Sequence, residues 1–361
     1  MKKALCALLL FGLLLSGCQS IPKGEAMAVQ NTSTLEPTPD PTPTLEPTPV
    51  PTPIPPRATE MLSISAAPAT PSPTVPPTPS PTPTATPEPT PFTLVWIADT
   101  QNYSRNQAEV FNAMRDWILN NREKENIQFV AHTGDVVDGF SQAMWDNAAN
   151  ALVPIFEALP DMVVSGNHDV FKDGNQWYFT HQPYAQLVQK EGQTYRDGDA
   201  AYVTFHAAGT DFLVFGIGYS VSCPDWMNQV IAEHPDHVVI TVIHSGLTED
   251  GNVSGPMKTI LQNVAPQAPG FRLMLCGHMR GSATRIDWFD DDQDGEKERS
   301  VTTMMFNYQE DRIDSLGFMR LLRFDPMIRS IEVLTYSPWF DRWGYEKASD
   351  EENHFVLENA W

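Results

Sequence analysis

Residues 127–138 read IQFVAHTGDVVD. The run from Ile127 to His132 is rich in apolar, aromatic and β-branched residues and reads as a buried strand. A Thr-Gly pair breaks it, and acids follow at Asp135 and Asp138. Glycine lets the chain turn sharply and lets its backbone come close to a bound group. An acid at the end of a buried strand is a natural metal holder. The same grammar recurs on either side. FTLVWIA (92–98) runs into Asp99, with Gln101 two residues on, and the strand-like 161–165 runs into Gly166-Asn167-His168-Asp169.

Further out, strand-like runs alternate with amphipathic stretches. Apolar residues at Val110, Phe111, Met114, Trp117 and Ile118 predict a helix over 106–122, and 142–159 reads the same way. Strands are expected at 201–207, 212–218, 237–244 and 271–277, the last three separated by helices at about 224–234 and 254–263. The tail reads as more strands at 284–289, 300–307, 318–324 and 330–336. An α/β order followed by a β-rich tail suits two sheets packed face to face with helices outside.

Two more of these strands end in histidine, at His244 (IHSG) and His278 (CGHMRG). Ligand sites in open α/β sheets lie at the carboxyl ends of strands, so all these strand ends are expected to converge on one crevice. Aspartate, asparagine and imidazole make a hard-to-borderline donor set, suited to Fe, Mn or Zn more than to copper. Each residue alone has a plainer reading. Asp135 could cap a loop, His168 could satisfy a turn, and His244 and His278 could be structural; the joint occurrence argues otherwise. His132, His181, His206 and His237 stand outside the pattern and read as structural.

The ordered set D-x-x, GDVVD, GNHD, a lone His and GHMR resembles the calcineurin-like metallophosphoesterase superfamily, whose pattern is DxH, GDxxD, GNH[DE], His and GHxH. The likeness spans nearly all of 92–336. It implies an α/β fold, a four-layer α/β/β/α sandwich of two mixed sheets flanked by helices, and hydrolysis of phosphate esters with two divalent ions. By resemblance, Asp135 would bridge the metals, and Asn167, His244 and His278 would complete the second site. Asp99 would hold the first metal. His168 would face the leaving-group oxygen, oriented by Asp138. The tail stretches FNYQ, GFMRLLRFDP and TYSPWFDRW look like a secreted or surface-attached bacterial branch that also begins with DTQ.

Two positions depart from that pattern, and both belong to the first metal. Gln101 stands for the histidine of DxH, and Arg280 for the second histidine of GHxH. Glutamine ligates only weakly, through a neutral amide oxygen, and arginine does not ligate. An inward Arg280 would take part of the space and role of a cation and donate to phosphoryl oxygens; an outward one would leave the site to water. Because Asp99 and Asp135 remain as hard oxygen ligands, a weakened or exchangeable first metal is favoured over an absent one. The rival is a non-catalytic surface binding protein with a degenerate first site.

Residues 289–300, FDDDQDGEKERS, place Asp290, Asp292, Asp294 and Gly295 like the start of a calcium loop. Position twelve falls on Val301 instead of the glutamate such loops need, so an acidic hairpin tip is favoured over a calcium site at 290–295. The aromatics Trp177, Tyr178, Tyr308, Trp339 and Trp343 could line a cleft; core packing is the favoured reading for each.

The N-terminus organises the rest. MKKALCALLLFGLLLSGCQS has a basic start and a short apolar run, a secretory leader by composition. Leu15-Ser16-Gly17-Cys18 resembles the bacterial lipobox, which implies cleavage before a lipidated Cys18 and a membrane anchor. Most of the 32 prolines precede Phe92. The tract they fill should populate polyproline II at roughly 3.1 Å per residue, a spacer. The expected organisation is a leader over 1–17, a lipidated N-terminus and proline/threonine-rich linker over 18–91, and a catalytic domain over 92–361. The location would be the outer face of the bacterial cytoplasmic membrane. A net charge of −22 argues against a nucleic-acid surface, and an anionic substrate then needs a local positive focus. A monomer is expected, and the phosphoester substrate is left unnamed. Cys223 and Cys276 read as buried free thiols, with Cys6 inside the leader.

Overall fold

The order of strands and helices in the chain fixes the layering. β1 (Phe92–Ile97) is followed by α1 (Gln101–Asn106), α2 (Ala108–Asn121) and β2 (Ile127–His132). Next come α3 (Gln142–Ala158), β3 (Asp161–Val163), β4 (Thr194–Tyr195), β5 (Ala200–Ala207) and β6 (Thr210–Ile217). α4 (Pro224–Glu233), β7 (Val238–Ile243), α5 (Gly255–Asn263), β8 (Phe271–Cys276), β9 (Gly281–Phe289) and β10 (Arg299–Asn307) continue the chain. β11 (Met319–Asp325), β12 (Ser330–Ser337), β13 (Arg342–Trp343), α6 (Asp350–Asn353) and β14 (His354–Leu357) complete it. This computed structural model describes residues 89–139, 141–170, 193–309 and 316–361. The leader with Cys6, Cys18, most of the linker, Trp177, Tyr178 and His181 lie outside the described residues.

One seven-stranded sheet runs β13-β12-β11-β1-β2-β3, with β14 paired to β12; the other runs β4-β5-β6-β7-β8-β10-β9. Both are mixed. β1, β2 and β3 are parallel, as are β6, β7, β8 and β10, while the remaining pairs are antiparallel. Parallel neighbours need crossover helices, and α2, α3, α4 and α5 are those helices.

The period-2 alternation of a strand sorts its side chains between layers. In β1, Leu94 and Trp96 enter the core between the sheets, where they meet Phe129, Val203, Phe205, Phe212 and Leu273. Val95 and Ile97 face the other way, onto Val110, Phe111, Met114 and Ile118 of α2 and Leu152 and Ile155 of α3. Leu213, Phe215, Ile243 and Met274 of the second sheet pack on Met227 and Val230 of α4 and Met257 and Ile260 of α5. The order is helices, sheet, sheet, helices, the expected four-layer sandwich. Strands buried on both faces read as near-continuous apolar runs, as FTLVWI and VVITVI do.

Some local expectations change. A helix starts at Gln101, two residues after the first acid, so the first helical stretch is two helices broken at Gln107. β4, β13, α6 and β14 are short and carry no periodic signal; all but β4 lie at the far edge of the first sheet. Tyr308 is buried as expected, but Trp339 and Trp343 are exposed, which corrects the core reading for those two. Trp343 instead lies over Tyr336, with ring centroids 4.6 Å apart. Cys223 and Cys276 are buried and free.

Candidate metal centre

Because the strands that carry them run the same way, Asp99, Asp135, Asn167, His244 and His278 all leave their sheets at one end. Two glycines make the convergence possible. A Cβ at Gly166 would lie 2.1 Å from Asp135 Oδ1, and one at Gly277 would lie 2.1 Å from Asp99 Oδ1. Asp99, Asp135 and His278 all have positive φ, at 24°, 51° and 70°. Such backbone strain in non-glycine residues clusters at functional sites.

The second-site set closes tightly. His244 Nε2 is 3.0 Å from Asn167 Oδ1, 3.1 Å from His278 Nδ1 and 3.4 Å from Asp135 Oδ1. A tetrahedron with metal–nitrogen bonds of about 2.1 Å has edges of about 3.4 Å, so these spacings are those of ligands around one ion. The His244 Nδ1–H donates to Thr133 O at 2.8 Å, which fixes the tautomer and turns the Nε2 lone pair inward. Burial alone would lower the His244 pKa, but Asp135 and Asp99 reverse this and push it up to about 9. Burial likewise works to raise Asp135, yet His244 and the His168 N–H hold it below the usual carboxylate range. A positive charge belongs among these groups, and the donor set fits a divalent cation.

The first-site set is poorer. Asp99 is fully buried and accepts from His278 N at 3.1 Å and 3.2 Å and from Asn307 Nδ2 at 2.7 Å. Burial first, then Asp135, push its carboxyl up to about 8 despite His244. Gln101 Nε2 donates to Asp135 Oδ2 at 3.2 Å, while Gln101 Oε1 is buried with no partner. That orphaned oxygen is an acceptor waiting for a cation or a donor. Arg280 is exposed, has no ion pair to a described residue, and lines the cavity rim. The site therefore offers two carboxylates and one amide oxygen, with no imidazole of its own. Among the described residues, the acidic or imidazole groups gathered closely enough to hold a metal are Asp135 with His244 and His278, and Asp290, Asp292 and Asp294 with Glu298. The latter cluster is an exposed tip between β9 and β10, and its fourth acid is Glu298, not position twelve.

His168 stands beside the second site, half exposed. Its backbone N–H donates to Asp135 Oδ1 at 2.9 Å, and its Nδ1 bonds Asp138 Oδ1 at 2.7 Å. Its Nε2 lies 4.0 Å from Asp135 Oδ2. Asp138 is held in turn by Arg105 Nη1. The cavity in front of these groups has a volume of about 330 Å³. A larger one, about 700 Å³, lies by Arg323, Trp343 and Asp350, at the edge of the first sheet and away from these strand ends.

Several site residues had no role assigned from the sequence. Asn307 ends β10, which runs parallel to β8, so it arrives at the same end and bonds Asp99. Asp169 accepts from the N–H groups of Val136, Val137 and Gly166 at 3.1, 2.9 and 2.8 Å, tying the two acid loops together. Burial, then Asp135, push its carboxyl up to about 7. Arg105, one helical turn after Gln101, and Gln309 line the cavity. The i, i+4 spacing of Gln101 and Arg105 was the available signal. His132 is a buried neutral ring beside Thr100 Oγ1 at 3.0 Å, lowered to about 3 by burial and His244.

The profile of the family described as calcineurin-like phosphoesterase matches residues 92–279. The chain is 32% identical over 256 residues to the uncharacterized protein YvnB of Bacillus subtilis strain 168, covering 69% of this chain. It spans about a fifth of that relative's length (20%). Among solved structures it is similar to GAP50, the anchor in the inner membrane complex of Plasmodium. That match has 13% identity and TM-score 0.40 over 74% of this chain and 88% of the other. It is also similar to TT1561 of Thermus thermophilus, with 10% identity and TM-score 0.37 over 71% of this chain and 98% of the other.

Proposed function

The chain belongs to the calcineurin-like phosphoesterase family, and on that premise we propose that it hydrolyses phosphate mono- or diesters at the cell surface. The observation that carries the proposal is the closure of Asp135, Asn167, His244 and His278 around one point, with His168 alongside. A divalent ion (Mn, Fe or Zn) held there supplies a nucleophile at neutral pH and positive charge for the phosphoryl oxygens. Asp135, Asn167, His244 and His278 would hold it, and Asp99, Asp135 and Gln101 Oε1 would make a weaker first site.

The chain's own groups do the rest. Asp138 fixes the His168 ring through Nδ1, leaving Nε2 to give a proton to the departing alkoxide. Arg105 anchors Asp138, so the acid and its orienting carboxylate keep one geometry. Asp169 locks the GDVVD and GNHD loops, so Asp135 and His168 keep their spacing. The surface location rests on the leader and the lipobox at Cys18, which would anchor the domain by lipid with the proline-rich tract as spacer.

Turnover of p-nitrophenyl esters by Mn-, Fe- or Zn-loaded protein tests this reading. His168→Ala should lower kcat by about 10²–10⁴ and leave metal content unchanged. Unchanged rates in both His168→Ala and Asp135→Asn, or no turnover together with no bound metal, would favour a non-catalytic binding protein.

A further inference from the structure

One wall of the cavity is made of amides whose orientations are chemically forced. Arg105 Nη2 donates to the Asn102 side chain at 2.8 Å, and a guanidinium has only donors, so Asn102 must present Oδ1 to it. The Asn102 backbone N–H takes Gln309 Oε1 at 3.3 Å, and the Gln309 backbone N–H takes Asn307 Oδ1 at 3.1 Å. Asn307 Nδ2 is spent on Asp99. Each of these amide oxygens is thus consumed by the protein. What remains is the Asn102 Nδ2 and Gln309 Nε2 amino groups, neither with a hydrogen-bond partner among the described residues. Arg280, equally unpaired, sits on the same cavity. The carboxylates that reach the cavity are engaged, Asp138 by Arg105 and His168 and Asp135 by the second-site groups.

A wall of leftover donors with one guanidinium, in a chain of net charge −22, is a local focus for an anion. We propose that Asn102, Arg280 and Gln309 form a cradle for phosphoryl oxygens that selects phosphate monoesters over diesters. The proposal rests on the phosphoesterase reading above. A monoester brings nearly two negative charges and three terminal oxygens, enough to meet both the second-site groups and this wall. A diester has a single charge and two such oxygens, and its second substituent would have to occupy the wall. Arg280 is the strongest member because guanidinium pairs with phosphate through charge-assisted, bidentate bonds. The cavity residues described are all polar.

The test uses metal-loaded full chain and three probes: p-nitrophenyl phosphate, bis(p-nitrophenyl) phosphate and inorganic phosphate, the last followed by calorimetry. The wild type should favour the monoester in kcat/KM. Arg280→Ala and Gln309→Ala should each weaken phosphate binding and raise the monoester KM by about tenfold, the value of one charge-assisted hydrogen bond. The diester KM should stay within about twofold, and Arg280→Lys should recover part of the loss. A wild type that prefers the diester, or variants that bind phosphate as well as the wild type does, would overturn the cradle. If that happens while Asp135→Asn and His168→Ala still abolish turnover, the cradle falls and the phosphoesterase reading stands. A wild type that turns over neither ester and binds no phosphate removes both.

Discussion

Gly166→Ala is the sharpest perturbation the site offers, because it adds one methyl group and no charge. The new Cβ would lie 2.1 Å from Asp135 Oδ1, 2.4 Å from Asp135 N and 2.7 Å from Asp135 Cγ. Ordinary contact begins at 3.4 Å, so the carboxylate must retreat by more than an ångström. Its backbone is in the way too, so side-chain rotation alone does not relieve the clash. Gly166 also donates to Asp169, which adds strain to the junction of the two acid loops. Overpacking of this kind costs about 1–3 kcal/mol, which a domain stable by about 5–15 kcal/mol survives. A ligand displaced by about 1 Å has far larger consequences for the site, about 10²-fold in rate. Loss of metal affinity should be of the same order as a broken supporting contact, about 10–100-fold. Calorimetric titration of chelator-stripped protein with Mn²⁺, beside a thermal melt, reads both quantities. A variant that melts within a few degrees of the wild type and binds metal within threefold would refute the argument that Gly166 exists to admit Asp135.

Asp169→Ala leaves the N–H groups of Val136, Val137 and Gly166 without their acceptor. At about 1–3 kcal/mol per orphaned group, partly relieved by water, urea unfolding should show a loss of roughly 3 kcal/mol or more, with Asp169→Asn intermediate. Burial pushes the thiols of Cys223 and Cys276 up to about 12. With Cys6 and Cys18 replaced by serine, a thiol reagent at pH 8 should label neither until denaturant is added; fast labelling of the folded protein would contradict their burial.

The parts of the site that could be read in the sequence are those where a strand ends in an unusual polar residue. GDVVD, GNHD and the two histidine turns interrupt apolar runs, and parallel strands then force their ends together. Asn307 also ends a strand, but its relevance depends on β10 running parallel to β8, a pairing that no local pattern encodes. Asn102 and Arg105 were hidden because α1 starts at Gln101 without a side-chain cap or an apolar stripe. Asp169 looked like one more acid of a motif, and only its backbone partners reveal it as the lock between loops. At the sheet edge, β13 and β14 are too short for alternation to mark them. The paired change at Gln101 and Arg280 was visible as a weakness of the first site. The structure adds where the two side chains go: Gln101 donates to Asp135, and Arg280 lines the cavity.

Metal content per chain tests whether Asp135, Asn167, His244 and His278 hold an ion. Full-length wild type and His244→Ala, both stripped and then equilibrated against limiting Zn²⁺ or Mn²⁺, would be analysed for ions per chain. At least one tightly retained ion is expected in the wild type, and its loss in His244→Ala. A wild type that retains none, or a His244→Ala chain that holds as much as the wild type, would contradict it.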